Sequence, residues 1–445
     1  MGETTVLVID GGGRGAVLVD KYLQSKHVVK VLAIPGNDLM GLGRGKHVKI
    51  FPKIKTTNVA KIVNVAKREK VNLVDVAQDD AVAVGVTDAL LKEGFRVFGP
   101  TRLAGQVEWD KAFARNFMKK FKIPSPVFKI CRSQKEGIDF IKKQKQVEWF
   151  IKASGLAAGK GALYAKNKKE AWEKIKQMKN FGKAGKTFLI EECLKGEEFS
   201  SFAIVDGQNF IIVGHAQDHK PVFDGDLGPN TGGMGCSSPP IVITQKIEKQ
   251  IETIFAKAIE GLTSIGRPYR GILYLGGMID KKGKIYVIEF NARWGDPEAQ
   301  VIVPQVNNDF YELANLVIDG KINSIKIRKD NYYRIAVTIA SKGYPDDYSQ
   351  VIGKQIFGLN RLLSGSPIRK NWGDIKVFGA GVKVRNDQYL AAGGRLFYVM
   401  AKGKNVAQAR KIAYNALSLV NVEGNNLHFR TDIGWRDLER LYERS

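Results

Sequence analysis

The chain has 445 residues, 44% of them apolar, enough for two to four domains with buried cores. No apolar run approaches the roughly 18 residues of a membrane span, VLVID opens the chain without a signal segment, and Cys131, Cys193 and Cys236 lie too far apart for a disulfide framework or a zinc site, so a globular protein of the reducing cytoplasm is expected. The 70 Lys and Arg against 45 Asp and Glu leave a net charge of +25, but KEGIDFIKKQKQ and KKEAWEKIKQMKN spread it over helix faces, as a solvated surface does, rather than gathering it for a specific nucleic-acid or membrane partner.

VLVID at 6–10 reads as a strand, GGGRG as a tight turn and AVLVDKYLQ as a helix. VVKVLAIPG, VNLVDVAQ and FRVFGP then alternate with KIVNVAKREK and AVGVTDALLKEG, so residues 1–107 are predicted to form an open α/β domain on a parallel sheet. Gly11, Gly13 and Ala16 satisfy G-x-G-x-x-A, but the second strand ends in Pro35 and Gly36 instead of the acidic residue a dinucleotide needs. The turn is therefore expected to offer amides and a helix N-terminus to some phosphate.

From Glu108 an amphipathic stretch, WDKAFARNFMKKF, runs to KIPSP, where prolines end it and a domain boundary is expected nearby. VEWFIKAS, GALYAK and KTFLIEECL with an intervening helix predict an α+β lobe. Between its strands lies Gly155-Leu-Ala-Ala-Gly159-Lys160-Gly161, which lacks the Ser or Thr of a P-loop and fits a flap closing over a triphosphate. Lys152, among apolar neighbours in FIKAS, is expected to meet a phosphate. DGDLGPNTGGMG, with Asp224, Asp226, Asn230 and Thr231, reads as an ordered loop outside any helix or strand core, suited to a small polar substrate. His215 and His219 lack a third ligand at metal spacing and read as structural or substrate-contacting.

GILYLGGMID and KIYVIEFNA flank DKKG and should pair as a hairpin. In VIEFNARWGDPE, alternation sends Ile288, Phe290 and Ala292 to the core and Glu289, Asn291 and Arg293 to the other face. A carboxylate and an amide oxygen there suit Mg²⁺, and Arg293 could neutralise a transferred phosphoryl group. YRIAVTIAS, IKVFGAGVKV and RLFYVMAKG beyond residue 331 suggest a small final domain.

FGPT at 98–101 with Lys111, IKASGLAAGKG, IEECLKGEE, QDHKPVFDGDLGPNTGGMG, EFNARWGDPE, GYP at 343–345, GGR at 393–395 and DIGWR at 432–436 occur in one order, and together they resemble the phosphoribosylamine–glycine ligase family of ATP-grasp enzymes over nearly the whole chain. The resemblance implies an α/β and α+β multidomain fold: an N-terminal open parallel sheet (1–107), a central ATP-grasp domain (108–330, with a small flap lobe at about 125–192) and a small C-terminal α+β domain (331–445). It implies ATP-dependent joining of glycine to 5-phosphoribosylamine through glycyl phosphate, by a monomer or homodimer. Lys111, Lys152 and the Gly155, Gly159, Lys160, Gly161 flap would then hold ATP phosphates, Glu191, Glu192 and Leu194 would face adenine, and Glu198 would take the ribose. Glu289 and Asn291 would hold Mg²⁺ or Mn²⁺, and Arg293, Asp226 and Asn230 would be catalytic. Gly12, Gly13, Arg14, Asp224, Thr231, Gly232, Asp296 and Glu298 would bind the substrates. The family's GxGGREH reads Asp10-Gly-Gly-Gly13-Arg14-Gly15-Ala16 here, and its GPEAPL-like segment reads AQDDAVAVG, leaving Asp79 and Asp80 as acidic candidates. A ligase of the same type acting on another amine is the alternative these departures permit, and an RNA-binding derivative of a ligase a more distant one.

Overall fold

The computed structural model describes residues 4–40, 42, 47–157, 159–363 and 374–443. Strands β1 (Thr4–Asp10), β2 (Val28–Pro35), β3 (His47–Ile50), β4 (Leu73–Val76) and β5 (Val97–Phe98) form a parallel sheet in the order β3-β2-β1-β4-β5. Period-two alternation sends Val6 and Val8 into a core shared with helix α1 (Gly13–Tyr22), while Leu7 and Ile9 enter a second core closed by α2 (Val59–Arg68), α3 (Asp79–Ala83) and α4 (Val86–Lys92). Both faces are covered, which is why VLVID is continuously apolar. Asp10 and Asp79 thus stand at the carboxyl ends of adjacent strands, the rim where open α/β sheets bind ligands.

Two helices, α5 (Gln106–Trp109) and α6 (Lys111–Lys120), lead out of this domain, and α6 buries Ala114, Arg115, Phe117 and Met118. The flap lobe follows, with β6 (Phe128–Cys131), α7 (Gln134–Lys143), β7 (Trp149–Ala153), β8 (Ala162–Ala165), α8 (Lys168–Gln177) and β9 (Phe188–Glu192) in an antiparallel sheet ordered β6-β9-β7-β8. Trp149, Ile151, Phe188 and Ile190 pack with Ile141 of α7 and Ile175 of α8, so alternation leaves Lys152 and Glu191 on the opposite face.

The central sheet begins with β10 (Glu197–Asp206) and β11 (Phe210–Asp218). A two-stranded ribbon, β12 (Pro221–Phe223) and β13 (Leu227–Asn230), precedes β14 (Gly235–Ser238), α9 (Gln245–Ser264), β15 (Arg270–Ile279) and β16 (Ile285–Asn291). The DGDLGPN stretch, expected as a loop, is therefore half strand: its glycines permit a tight reversal, and its strand residues stay exposed instead of forming core. The strands after residue 331, β17 (Tyr333–Ser341), β18 (Gln355–Phe357), β19 (Ile375–Gly379), β20 (Val382–Arg385), β21 (Gln388–Ala391), β22 (Arg395–Gly403), β23 (Asn421–Val422) and β24 (Leu427–His428), split between two sheets. β17 pairs with β14 and continues the central sheet as β16-β15-β10-β11-β14-β17-β22-β19 with β24 beside β17, while β18, β20, β21 and β23 make a small sheet of their own.

The β15–β16 hairpin carries a bulge. Gly276 faces Glu289 but Gly277 faces Val287, so Ile288 is the extra residue. This corrects the alternation expected there: Ile285, Val287, Phe290 and Ala292 enter the core, and Ile288 joins Glu289 in lining the cleft below. The bulge re-aims the strand end that carries Glu289, Asn291 and Arg293.

Candidate active site

The flap lobe's inner face, the start of α6 and the end of β16 enclose a cavity of about 150 Å³. Lys111, Lys152, Gly159, Glu191, Glu289, Asn291 and Arg293, expected from the sequence to act together, all line it, and Asp79 reaches it from the N-terminal domain. Asn291 Nδ2 donates to Glu289 Oε1 at 3.3 Å, and Arg293 donates to Asn291 Oδ1 at 3.3 Å and to the Trp294 carbonyl at 3.1 Å. Burial would raise the Glu289 pKa, but Lys220, Lys111 and Lys152 outweigh it and hold the group at about 2. Glu289 is therefore an ionised carboxylate in a ring of lysines, a setting that suits an anion with its counter-cation.

Lys152 is paired in this structure. Its Nζ lies 2.7 Å from Glu191, whose carboxylate also accepts from Arg115 Nε at 2.6 Å and Nη2 at 2.9 Å. Arg115 further donates to the Ile288 carbonyl at 2.6 Å and the Val287 carbonyl at 3.3 Å, bolting α6 to β9 and to the bulge. Glu191 is buried, which would raise its pKa, yet Lys152 and Arg115 hold it at about 2. Its side chain is thus fully committed, and its backbone lies in β9 between β6 and β7. Glu192 Oε1 accepts from the Val127 amide at 2.8 Å, and the Leu194 carbonyl lies 3.9 Å from Cys193 Sγ. In the flap, Gly155 donates to the Ala184 carbonyl, the Gly161 carbonyl accepts from Ala153, and Lys160 is exposed.

A smaller recess adjoins the cavity across Ile288 and Glu289, lined by Glu198, Ser200, Asp218, Lys220 and Tyr274. Glu198 pairs with Lys220 at 2.7 Å. Glu298 lies behind the recess, 3% exposed, accepting from Ser200 Oγ and Tyr274 Oη at 2.9 Å each. Burial and the charge of Glu298 push Asp218 well above the usual carboxylate range.

The N-terminal turn corrects the expectation of an open phosphate site. Asp10 Oδ1 already accepts from the Gly12 amide at 2.5 Å and the Gly15 amide at 3.2 Å, and Asp296 accepts from the Arg14 amide at 3.3 Å. A protein carboxylate satisfies donors at the helix N-terminus. Gly15 must be glycine for this, since a Cβ there would lie 2.8 Å from the Asp10 side chain. Arg14 is buried and donates to Asp10 Oδ2 at 2.8 Å, the Trp294 carbonyl at 3.0 Å and Gln78 Oε1. A Cβ on Gly13 would strike Tyr398 and Gln300. Gly12, Gly13 and Arg14 thus form a packed wall against the GDPE segment.

The ribbon residues expected to be catalytic are held elsewhere. Asp226 accepts from Arg430 Nη1 at 2.9 Å and from Arg436, and Asp224 accepts from the Thr431 amide at 2.8 Å, because the fully buried Arg430 requires carboxylates around it. Asp224 and Asp226 therefore anchor the ribbon to the C-terminal segment, and Asn230 is exposed on β13. Thr231 Oγ1 donates to the Lys220 carbonyl at 2.8 Å, and the Gly232 carbonyl accepts from Arg395 at 2.6 Å. His215 and His219 are structural: His215 Nδ1 meets Ser201 Oγ at 2.9 Å, and His219 Nε2 accepts from the Gly434 amide at 3.1 Å. Sequence reasoning missed Glu108, Arg115 and Lys220. Arg115 alone carried a signal, a charge on the apolar face of an amphipathic helix.

The chain matches three consecutive families of one enzyme: phosphoribosylglycinamide synthetase N domain over residues 4–108, its ATP-grasp (A) domain over 109–299 and its C domain over 334–436. It is 38% identical over 440 residues to phosphoribosylamine–glycine ligase of Salmonella typhimurium, covering 98% of this chain and 99% of that protein. It is 37% identical to the human trifunctional purine biosynthetic protein adenosine-3, of which it spans 42%. The crystal structure of phosphoribosylamine–glycine ligase from Thermotoga maritima superposes with a TM-score of 0.79 at 30% identity, over 96% of this chain and all of that one. The biotin carboxylase domain of Hydrogenobacter thermophilus 2-oxoglutarate carboxylase shares the fold, with a TM-score of 0.73 at 16% identity over 95% of this chain and 91% of that one.

Proposed function

The chain belongs to the phosphoribosylglycinamide synthetase family, and from that premise we infer that it is an ATP-dependent ligase joining glycine to 5-phosphoribosylamine, with glycinamide ribonucleotide, ADP and phosphate as products, in purine biosynthesis. The observation that carries the reading is the convergence of Lys111, Lys152, Glu289, Asn291 and Arg293, from three separated stretches of chain, on one cavity.

A free carboxylate is a poor electrophile, so its oxygen must be made a leaving group with water kept out. Transfer of the terminal phosphoryl of ATP to glycine gives glycyl phosphate and ADP; the amine then attacks the acyl carbon, the C–O bond to phosphate breaks, and the amine gives up a proton. Lys111 and Lys152 neutralise the triphosphate, with Lys152 exchanging Glu191 for phosphate oxygen. The loop from Gly155 to Gly161 closes over the phosphates, and Arg293 faces the phosphoryl group in flight. Glu198 holds the ribose, and backbone groups of Glu191 to Leu194 meet adenine. Asp296 and Glu298 belong to the wall on the substrate side, and Asp79 turns toward the amine.

Glu289 and Asn291 fit a divalent cation, magnesium or manganese: one is an ionised hard-oxygen donor and the other carries an amide oxygen two residues on. Held there, such an ion would supply Lewis-acid neutralisation of phosphate charge. The enzyme works in the cytoplasm as a monomer or homodimer; its free cysteines suit a reducing compartment, and no helix among the described residues is long and apolar enough to cross a membrane.

The test is glycine-dependent ADP release with phosphoribosylamine, run beside hydroxylamine, which traps glycyl phosphate as the hydroxamate. Absence of glycine-dependent ADP with either amine overturns the reading. The carboxylate of Asp10 in the N-terminal turn favours a second reading, in which the amine lacks the phosphate that turn would otherwise hold. Turnover with hydroxylamine and unphosphorylated amines but not with phosphoribosylamine would select it.

A further inference from the structure

Glu108 has no place among the phosphate and metal contacts above, yet it is only 7% exposed and reaches the end of β16 from 184 residues away in the chain. Its Oε2 accepts from the Ala292 amide at 2.7 Å, and its Oε1 lies 2.8 Å from Arg293 Nη2. The guanidinium is also fixed by the Trp294 carbonyl and Asn291 Oδ1, while its Nε is buried without a partner. A planar, forked cation held on several edges has one orientation, where a free arginine side chain would have many. Two residues after Glu108, Asp110 Oδ1 accepts from Ser154 Oγ at 2.8 Å, and the Lys111 amide donates to the Ser154 carbonyl at 2.8 Å. Residues 108–111 therefore grip the end of β16 at one end and the root of the flap loop at the other.

We propose that Glu108 is a positioning residue for phosphoryl transfer: it holds Arg293 and the Ala292 amide so that the guanidinium faces the transferred group. The inference rests on the role of Arg293 given above. A charge that must meet a developing charge loses much of its effect when displaced by about 1 Å, a shift able to cost about a hundredfold in rate. Glu108 lines the same cavity, and its assigned part there is to hold Arg293.

The experiment is a double-mutant cycle on glycine-dependent ADP release, with Glu108→Gln, Arg293→Ala and the pair together. Gln keeps the shape and an acceptor for the Ala292 amide but removes the charge beside Arg293. The expected result for Glu108→Gln is a kcat lower by roughly thirtyfold with KM for ATP within about twofold, and a double variant no slower than Arg293→Ala alone, as for residues acting as one unit. Losses that multiply in the double variant would assign Glu108 a separate structural role and overturn the proposal, as would a Glu108→Gln kcat within about threefold of wild type. An Arg293→Ala variant with wild-type turnover would remove the reading of Arg293 itself, and the proposal with it. Should Glu108→Gln fold poorly, Glu108→Asp, which keeps the charge one methylene back, is expected to lower kcat with an unchanged thermal midpoint; an unchanged kcat there also refutes the proposal.

Discussion

Replacing Glu191 by Gln takes one negative charge out of a buried trio. The carboxylate is 1% exposed, and the two cations it serves, Arg115 and Lys152, are 3% and 9% exposed, so solvent compensates neither. Removing one member of a buried ion pair costs about 3–5 kcal/mol. Arg115 keeps its bonds to the Val287 and Ile288 carbonyls, which leaves Lys152 as the main uncompensated charge and puts the loss near the lower bound, about 3 kcal/mol. For a cooperative unit the size of the ATP-grasp domain, that is a fall of about 6–12 °C in melting midpoint. The proposed function adds a signature. ATP brings Lys152 a new anion, so saturating ATP and Mg²⁺ should raise the midpoint more in the variant than in the wild type. Thermal melts of both proteins at pH 7.5, with and without nucleotide, decide it. A loss under about 2 °C would refute the energetic argument, and an equal nucleotide shift in both proteins would refute the assignment of Lys152 to phosphate.

Other consequences are open to measurement. His219 Nε2 accepts from the Gly434 amide, so protonation would set two N–H groups against each other; burial, then Arg430 and Arg436, lower its pKa from 6.5 to about 3. A depressed histidine pKa stabilises the folded state above the unfolded value and loses that contribution as pH falls from 6.5 toward 3, so melting midpoints should drop across this window and His219→Asn should flatten the drop. Glu289→Gln should lower metal-dependent ATP turnover by at least about a hundredfold while the melting midpoint stays within a few degrees; undiminished turnover would end the metal assignment. Arg430→Met leaves Asp226 and Asp432 without their buried cation, and limited proteolysis should then cut the ribbon at 221–230 faster while nucleotide affinity holds. Unchanged cleavage would show that Arg430 does not anchor the ribbon.

What the sequence made legible follows from how local each signal is. The βα alternation, the DKKG hairpin and the polar face of EFNAR depend on periods of two and 3.6, and the structure contains all three. The bulge at Ile288 was not legible, because an extra residue in one strand exists only relative to its partner, here Gly276 and Gly277. The partners of Asp226 and of the Gly12–Arg14 turn were not legible for a related reason: a polar group in a glycine-rich stretch looks available for ligands until the group that already meets it is known, here Arg430, 204 residues on from Asp226, and the Asp10 carboxylate, which accepts from the amides of Gly12 and Gly15. Glu108 and Lys220 were missed in the opposite direction, as ordinary charges until tertiary contacts buried the one and paired the other with Glu198, and Arg115 because its partner Glu191 lies 76 residues on. The positions proposed to meet phosphate and metal therefore differ in kind from the residues that hold them. Lys111, Lys152, Glu289, Asn291 and Arg293 stand on strand or helix ends whose geometry is local, whereas Glu108 and Arg115 act by joining elements far apart in sequence. Altering Lys111 should then change nucleotide affinity with little effect on folding, whereas altering a joining residue should act through the placement of β16 or the flap lobe, which appears in kcat for Glu108 and in stability for Arg115, the buried partner of Glu191.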